Sequence, residues 1–298
     1  MSMNYQHVFE VMVNETAQYL TKSHLKTMVL GLSGGLDSTV TAAICHEVVR
    51  RHPEQGFKFI GVSMPCSTNS SEENDSAMLA MRGFCDEYWV ENLQKEYLLM
   101  RATCEQHYPS TALSQGNIKA RLRMIYLYNI ASVTGGLVMD TDNLTEHNLG
   151  FWTIHGDVAD YNPIGGLWKH EVYGLAKWLK ENKFKDSEAL DKAIAIMPTD
   201  GNGVKAGGDL AQIAPGKTYD DVDEILHAWV GLDPRIKASV IASDYEHGVF
   251  KKLCEKHGKE TVEMVIERSI KSEFKRKQRP FVIDIFNGNI VEKNGKLM

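Results

Sequence analysis

Residues Thr27-Met-Val-Leu-Gly-Leu-Ser-Gly-Gly-Leu-Asp-Ser38 decide the fold. Thr27–Leu32 is a short apolar run, the pattern of a strand buried on both faces. Ser33–Ser38 is a glycine-rich turn, and beyond it Val40, Ala43, Ile44, Glu47 and Val48 return to helical spacing. A strand, a tight turn and a helix in that order make an anion site. Unpaired backbone N–H groups open the helix, and its dipole favours negative charge there. Gly34 and Gly35 allow positive φ and close approach of the backbone to a ligand. Ser33, Ser38 and Thr39 add hydroxyls. Asp37 is the odd member, because a carboxylate repels phosphate unless a cation lies between them, and Mg²⁺ is the natural bridge. A Walker A loop would need a Lys before the Ser/Thr, and a dinucleotide fingerprint would need GxGxxG; the turn has neither. A glycine turn capped by Asp37 or Ser38 is the purely structural alternative.

Outward from that unit the same alternation continues. Helical spacing marks the first twenty-odd residues. Phe57–Val62 reads as a second strand, Glu73–Phe84 as a helix and Tyr88–Leu93 as a third strand. Gly116–Ala131 reads as an amphipathic helix and Gly136–Met139 as another buried strand. From Asp220 the chain reads as mostly helical: Asp220–Val230, Pro234–Ala242 and two segments between Tyr245 and Ile270. Pro198–Pro215, with Gly201, Gly203, Gly207 and Gly208, reads as a surface loop. The expected fold is α/β: one doubly wound, Rossmann-like parallel sheet flanked by helices, with helical C-terminal additions, residues 1–298 forming a single domain.

Composition sets outer limits. The chain has 298 residues, 43% hydrophobic and 24% charged, and a net charge of −6. That is ordinary globular make-up and disfavours a nucleic-acid partner. No apolar stretch is long enough for a membrane helix, and the N-terminus does not read as a signal peptide. The cysteines (Cys45, Cys66, Cys85, Cys104, Cys254) are odd in number and never paired as CxxC. Reduced thiols in the cytoplasm are expected.

Three further segments carry chemistry. In Gly116-Asn-Ile-Lys-Ala-Arg-Leu-Arg-Met124, Asn117 and Arg121 are four apart and share a helix face. Such a face suits an anionic or amide-bearing ligand, or is simply solvated; Arg123 falls elsewhere on the helix. Asp140-Thr-Asp-Asn-Leu-Thr-Glu146 lies at the C-terminal end of an expected strand, where doubly wound sheets bind ligands. Gly150-Phe-Trp-Thr-Ile-His-Gly-Asp157 sets aromatic residues beside a Gly-Asp turn. That pairing suits a flat ring near a carboxylate, or ordinary core packing.

SGGLDS resembles the pyrophosphate loop of the ATP pyrophosphatase superfamily. With GNIKARLRM, DTDNLTE, GFWTIHGD, the Pro-Thr at 198–199, KTYDDVDEIL and EFKRKQRP, the chain resembles the ammonia-dependent NAD synthetase family from about Val29 to Pro280. The resemblance implies a ligase that amidates deamido-NAD with ammonia to give NAD. ATP is consumed to AMP and pyrophosphate through an adenylated carboxylate. Gly31, Leu32, Ser33, Gly34, Gly35, Leu36, Asp37 and Ser38 would hold ATP, together with Thr141, Lys169 and Thr199. Asp37 and Glu146 would bind Mg²⁺. Asn117, Arg121, Phe151, Asp157 and Lys275 would line the deamido-NAD site. Asp37, Lys169 and Asp157 would serve catalysis, Asp157 near the incoming ammonia. A homodimer is implied.

Two departures stand out. Many members have Gly-Thr-Asp-His where this chain has Asp140-Thr-Asp-Asn, and His-Lys where it has Phe274-Lys275. Upstream of Thr27 no glutaminase domain is expected to fit, so free ammonia, or ammonia from an unknown partner, is the expected donor. A tRNA-modifying adenylating enzyme is the rival enzyme reading, with Lys271–Arg279 as its RNA patch. A nucleotide sensor without chemistry is the rival non-enzyme reading.

Overall fold

The computed structural model describes residues 3–66, 70–196, 210–246 and 248–276, and two short C-terminal strands. Four parallel strands form the sheet: β1 (Thr27–Gly31), β2 (Lys58–Ser63), β3 (Glu87–Val90) and β4 (Gly136–Val138). Their spatial order is β3-β2-β1-β4. Thr27 pairs with Lys58 on one side of β1 and with Gly136 on the other. The chain therefore winds outward from β1 in one direction, then returns to its opposite edge. The crevice at that reversal, beyond the C-terminal ends of β1 and β4, is where such sheets bind ligands.

β1, β2 and β4 are buried on both faces because helices cover both, while the edge strand β3 is largely exposed. Met28, Leu30 and Phe59 point into a core with α1 (Tyr5–Lys22), α2 (Leu36–Arg51), α3 (Ser71–Phe84), α7 (Lys169–Asn182) and α8 (Glu188–Ala195). Val29, Ile60, Val62 and Val138 point the other way, against Leu127, Ile130 and Ala131 of α5 (Ala112–Thr134). The alternation within β1 is the period-2 geometry of a strand. Each such side chain, fully buried, contributes roughly 1.5–3 kcal/mol. α4 (Gln94–Cys104) packs on α5.

A second core lies beyond the sheet. It joins α10 (Tyr219–Val230), α12 (Gly248–His257) and α13 (Lys259–Lys271) to Leu149 of α6 (Leu144–Leu149) and to Trp168, just ahead of α7. α9 (Leu210–Ile213), α11 (Pro234–Ala242) and α14 (Glu273–Arg276) complete the helices, and β5 (Val282–Asp284) pairs antiparallel with β6 (Asn289–Val291). This core brings the later helices against α6 and α7, the two that flank the crevice.

Most expected elements are present, with shifts at their ends. The expected turn Ser33–Ser38 is shorter, since α2 already begins at Leu36 with Gly35 as its N-cap. The expected loop Pro198–Pro215 carries the single turn α9 at its end; residues 197–209, Thr199 among them, lie outside those described.

Candidate active site

The first turn of α2 and the two loops after β4 enclose a cavity of about 290 Å³. The phosphate turn forms one wall. Of its two glycines only Gly34 takes positive φ, at 83°. A Cβ there would stand 2.4 Å from the Glu73 carbonyl oxygen. Gly35 is extended, at φ −77°, so its role is capping rather than left-handed geometry. Ser33 and Ser38 face each other at 3.1 Å, while the Thr39 hydroxyl is spent on the Gly35 carbonyl at 2.9 Å. Thr39 is thus a helix-internal group and not the free donor its position in the motif suggests.

Behind the turn stands a charged triad. Lys169, only 2% exposed, donates to Asp37 Oδ2 and, at 3.1 Å, to Glu146 Oε1. The ring of Tyr219 lies 5.5 Å from its ammonium. Asn143 caps α6 by accepting the Glu146 backbone N–H at 3.0 Å, and its side-chain amide donates to Asp37 Oδ1 at 3.0 Å. Burial opposes charge on Lys169, but Asp37 and Glu146 outweigh it and hold the ammonium protonated well above its usual range. Burial likewise lifts the Glu146 carboxyl to about 7, despite the counter-effect of Lys169.

The cavity carries further acidic groups. Asp142, Asp157 and Thr141 line it. Asp157 is open to the cavity but surrounded by protein, which lifts its carboxyl to about 6; its Oδ1 accepts the Thr153 backbone N–H at 2.5 Å. Asp142 is pushed well above the usual carboxylate range by burial, reinforced by Asp140 and Asp157. Asp140 itself is buried. It accepts the backbone N–H groups of Asp142 at 2.8 Å and Ala159 at 3.0 Å, and so ties the strand-end loop to the Gly-Asp turn.

The expected dinucleotide-binding residues fall into two groups. Phe151 lines the cavity, with the Arg268 guanidinium 4.8 Å from its ring centre. Asn117 and Arg121 brace the neighbouring loop: Asn117 Oδ1 accepts from Thr153 Oγ1 at 2.9 Å, and Arg121 donates to the Ile154 carbonyl at 3.2 Å. Lys275 donates to the Gly150 carbonyl at 2.7 Å and to that of Trp152. Trp152 is core, packed flat against His147.

Sequence reasoning missed Arg123. The α5 stripe Ala120, Arg123, Met124, Leu127 and Tyr128 lines the cavity, and Arg123 donates to the Met64 carbonyl at 3.1 Å. The 3.6-residue period starting from Ala120 would have shown that face. It also missed Asn143, though Asn143-x-x-Glu146 is a capping-box spacing. The expected RNA patch is consumed internally. Lys271 pairs with Glu267 at 2.6 Å, and Arg276 donates to the carbonyls of Asn148 at 2.8 Å and Ser269 at 2.6 Å; residues 277–280 lie outside those described.

Comparison with known proteins decides the family. The NAD synthase family model matches residues 8–279. The chain belongs to the NAD synthase family. The NH(3)-dependent NAD(+) synthetase of Wolinella succinogenes is 32% identical over 270 residues, which cover 90% of this chain and 92% of that protein. The NMN synthetase structure from Francisella tularensis superposes with a TM-score of 0.73 at 22% identity, covering 95% of this chain and all of that one. The NH3-dependent NAD synthetase structure from Campylobacter jejuni does so with a TM-score of 0.67 at 24% identity and the same coverage. These two share the doubly wound fold. Among the described residues no helix is long and apolar enough to cross a membrane.

Proposed function

We propose that this cavity amidates deamido-NAD, using ammonia and ATP, and that the Asp37–Lys169–Glu146 triad and Asp157 divide the two half-reactions between them. The activity is that of the family, ammonia-dependent synthesis of NAD by an ATP-consuming ligase. The observation that carries the division of labour is that Asp37, Glu146 and Asp157 all line one cavity.

A carboxylate does not react with ammonia at neutral pH, because it has no adequate leaving group. The nicotinate carboxylate therefore attacks the α-phosphorus of ATP and pyrophosphate departs. Such a step needs positioning and charge neutralisation. The backbone amides of Gly34–Ser38 and the Ser33 and Ser38 hydroxyls cradle the phosphates, Thr141 adds a contact, and the ammonium of Lys169 offsets charge on the departing pyrophosphate. Arg123 and the α5 stripe close the nucleotide side.

The donor set fits Mg²⁺. Asp37 and Glu146 offer hard oxygens, and no three acidic, His or Cys groups among the described residues form a metal cage of their own. Mg²⁺ characteristically takes one or two carboxylates and completes its shell with phosphates and water. When bound it would neutralise phosphate charge. Lys169 would then release Asp37 and Glu146 and turn toward the phosphates.

In the second half-reaction Asp157 takes a proton from ammonium. Ammonia attacks the acyl carbon, the carbon–oxygen bond to AMP breaks with the electron pair leaving on the AMP phosphate, and the nitrogen gives up one of its three protons to that phosphate or to water, leaving the two-proton carboxamide. A carboxyl near 6 is matched to that exchange at neutral pH. Phe151 offers a face to the nicotinate ring, while Asn117, Arg121 and Lys275 hold the loop that carries it. Lys275 contacts two loop carbonyls here, so its part in substrate binding is to fix that loop.

The reading extends to a homodimer in the cytoplasm. Exposed apolar side chains on α4 and α5 (Leu98, Leu99, Leu113, Ile125, Val133) support a subunit contact, and five cysteines outside any disulfide support a reducing compartment. The test is direct. Purified protein given ATP, Mg²⁺, deamido-NAD and ammonium should release pyrophosphate and form NAD. Turnover of nicotinic acid mononucleotide alone, with deamido-NAD inert, would overturn the substrate assignment.

A further inference from the structure

Beneath the triad lies a buried pair that the mechanism above does not use. Asp223 on α10 is 1% exposed and Thr145 on α6 is fully buried. Thr145 Oγ1 donates to Asp223 Oδ1 at 2.5 Å and accepts the backbone N–H of Lys169 at 2.9 Å. Asp223 Oδ2 accepts the backbone N–H of His170 at 3.0 Å and faces His170 Nδ1 at 2.8 Å. Neither residue lines the cavity around the phosphate turn.

The need for this arrangement comes from how α7 begins. Its N-cap residue is Trp168, which supplies no capping bond, because an indole has no acceptor. The first N–H groups of α7 would otherwise lack partners. Thr145 and Asp223 supply them from two other helices, and a carboxylate at that end suits the helix dipole. The two residues so tied are neighbours of functional groups: Glu146 follows Thr145, and Lys169 opens α7.

We propose that Thr145 and Asp223 are positioning residues for adenylation, a relay that fixes the base of Lys169 against Glu146. This rests on the reading that Lys169 and Glu146 serve the ATP half-reaction. The lysine stem is long and flexible, so its ammonium is delivered reliably only if its backbone is held. A displacement of an ångström is enough to cost rate.

The test uses the purified enzyme and separates kcat from KM. Thr145→Val removes the hydroxyl and nearly keeps the volume. It should lower kcat for pyrophosphate release by about 10–100-fold, since only transition-state contacts are displaced. KM for deamido-NAD should stay within about twofold, because Asn117, Arg121 and Phe151 are untouched. Thr145→Ser restores the relay and should return kcat to within about threefold of wild type. Asp223→Asn should fall at least as far as Thr145→Val. The double variant should be no worse than Asp223→Asn by more than about twofold, as expected of one connected unit.

A Thr145→Val enzyme within about threefold of wild type would overturn the relay. So would Thr145→Ser falling as far as Thr145→Val, which would make the methyl group the relevant part. Multiplied losses in the double variant would also overturn it. Should Asp223→Asn not fold, the Thr145 variants decide alone. Lys169→Met serves as the control: if it keeps turnover the site reading itself fails, whereas its loss beside an active Thr145→Val sinks only the relay.

Discussion

The two acidic groups of the site manage buried negative charge in different ways. Beside the phosphate turn, Asp37 and Glu146 share the ammonium of Lys169, with Asn143 as a further donor. Asp140, Asp142 and Asp157 have, among the described residues, no cation at hydrogen-bonding distance. Backbone N–H groups meet Asp140 and Asp157, and the Lys275 ammonium, which acts on Asp157 from a distance, is engaged with the Gly150 and Trp152 carbonyls. Burial raises carboxyls in both groups: Glu146 to about 7 in spite of Lys169, Asp157 to about 6, and Asp142 well above the usual range. On the proposed reading, the first group exchanges its internal cation, Lys169, for a metal-bound polyanion. The second is short of positive charge, a deficit that a small monocation such as ammonium would make good.

The most severe way to break this contrast is to remove the shared cation. Lys169→Met should lower ATP turnover by roughly 10³-fold, the scale seen when a preorganised charge-stabilising donor is lost. Pyrophosphate release measures it, and a loss below tenfold would contradict the balance described. Next is Asp157→Asn, which should reduce amide formation by about 10²-fold while leaving adenylation nearly intact. It should also abolish the rise of the ammonia half-reaction as pH passes through about 6. Equal loss in both half-reactions would show that the two groups are not separate.

A third prediction concerns stability. Glu146 titrates near 7 when folded against 4.5 for the free side chain, and Asp157 near 6 against 3.8. The folded chain therefore binds more protons across that interval. Its stability from these groups is complete below about pH 4 and drains away as pH climbs to 7, by at most about 1.4 kcal/mol per pH unit for Glu146 and by less for Asp157, whose exposed carboxylate is screened by solvent. Denaturant titrations of the ligand-free protein between pH 4.5 and 7.5 measure the slope. Added magnesium ATP should stabilise more at pH 8 than at pH 5.5, because it requires the ionised carboxylates; the reverse order would refute the pairing. The smallest effect is expected at Asp140→Asn. It keeps one acceptor and removes one charge beside Asp142, so stability should move by less than about 1 kcal/mol. KM for ammonium should rise about threefold as the Gly-Asp turn slackens.

How far the sequence alone reaches depends on the kind of signal. β1 and the start of α2 were legible because two glycines, an apolar run and a helical period coincide in one stretch. α6 was not, since six residues cannot display a period; it read only as a polar strand-end cluster. α7 was hidden for a different reason: its cap is a tryptophan, and the groups that serve as its cap come from Thr145 and Asp223, distant in the chain. For Asn117 and Arg121 the shared face was right, yet both hold the neighbouring loop and neither lines the cavity. Arg123 does fall off the Asn117–Arg121 face, as expected, but only the apolar stripe of the helix shows that its face lines the cavity. Asp157 was found, but not the acidic surroundings that raise its carboxyl, because Asp140 and Asp142 meet it only through tertiary folding.

The short helix α6 ends on carbonyls that three later cations receive. Arg268 takes Leu149, Lys275 takes Gly150, and Arg276 takes Asn148. During synthesis, Glu146 and the phosphate turn leave the ribosome well before those side chains exist. All three fasteners come from α13 and α14, so removing those two helices would free the end of α6 at every one of these carbonyls.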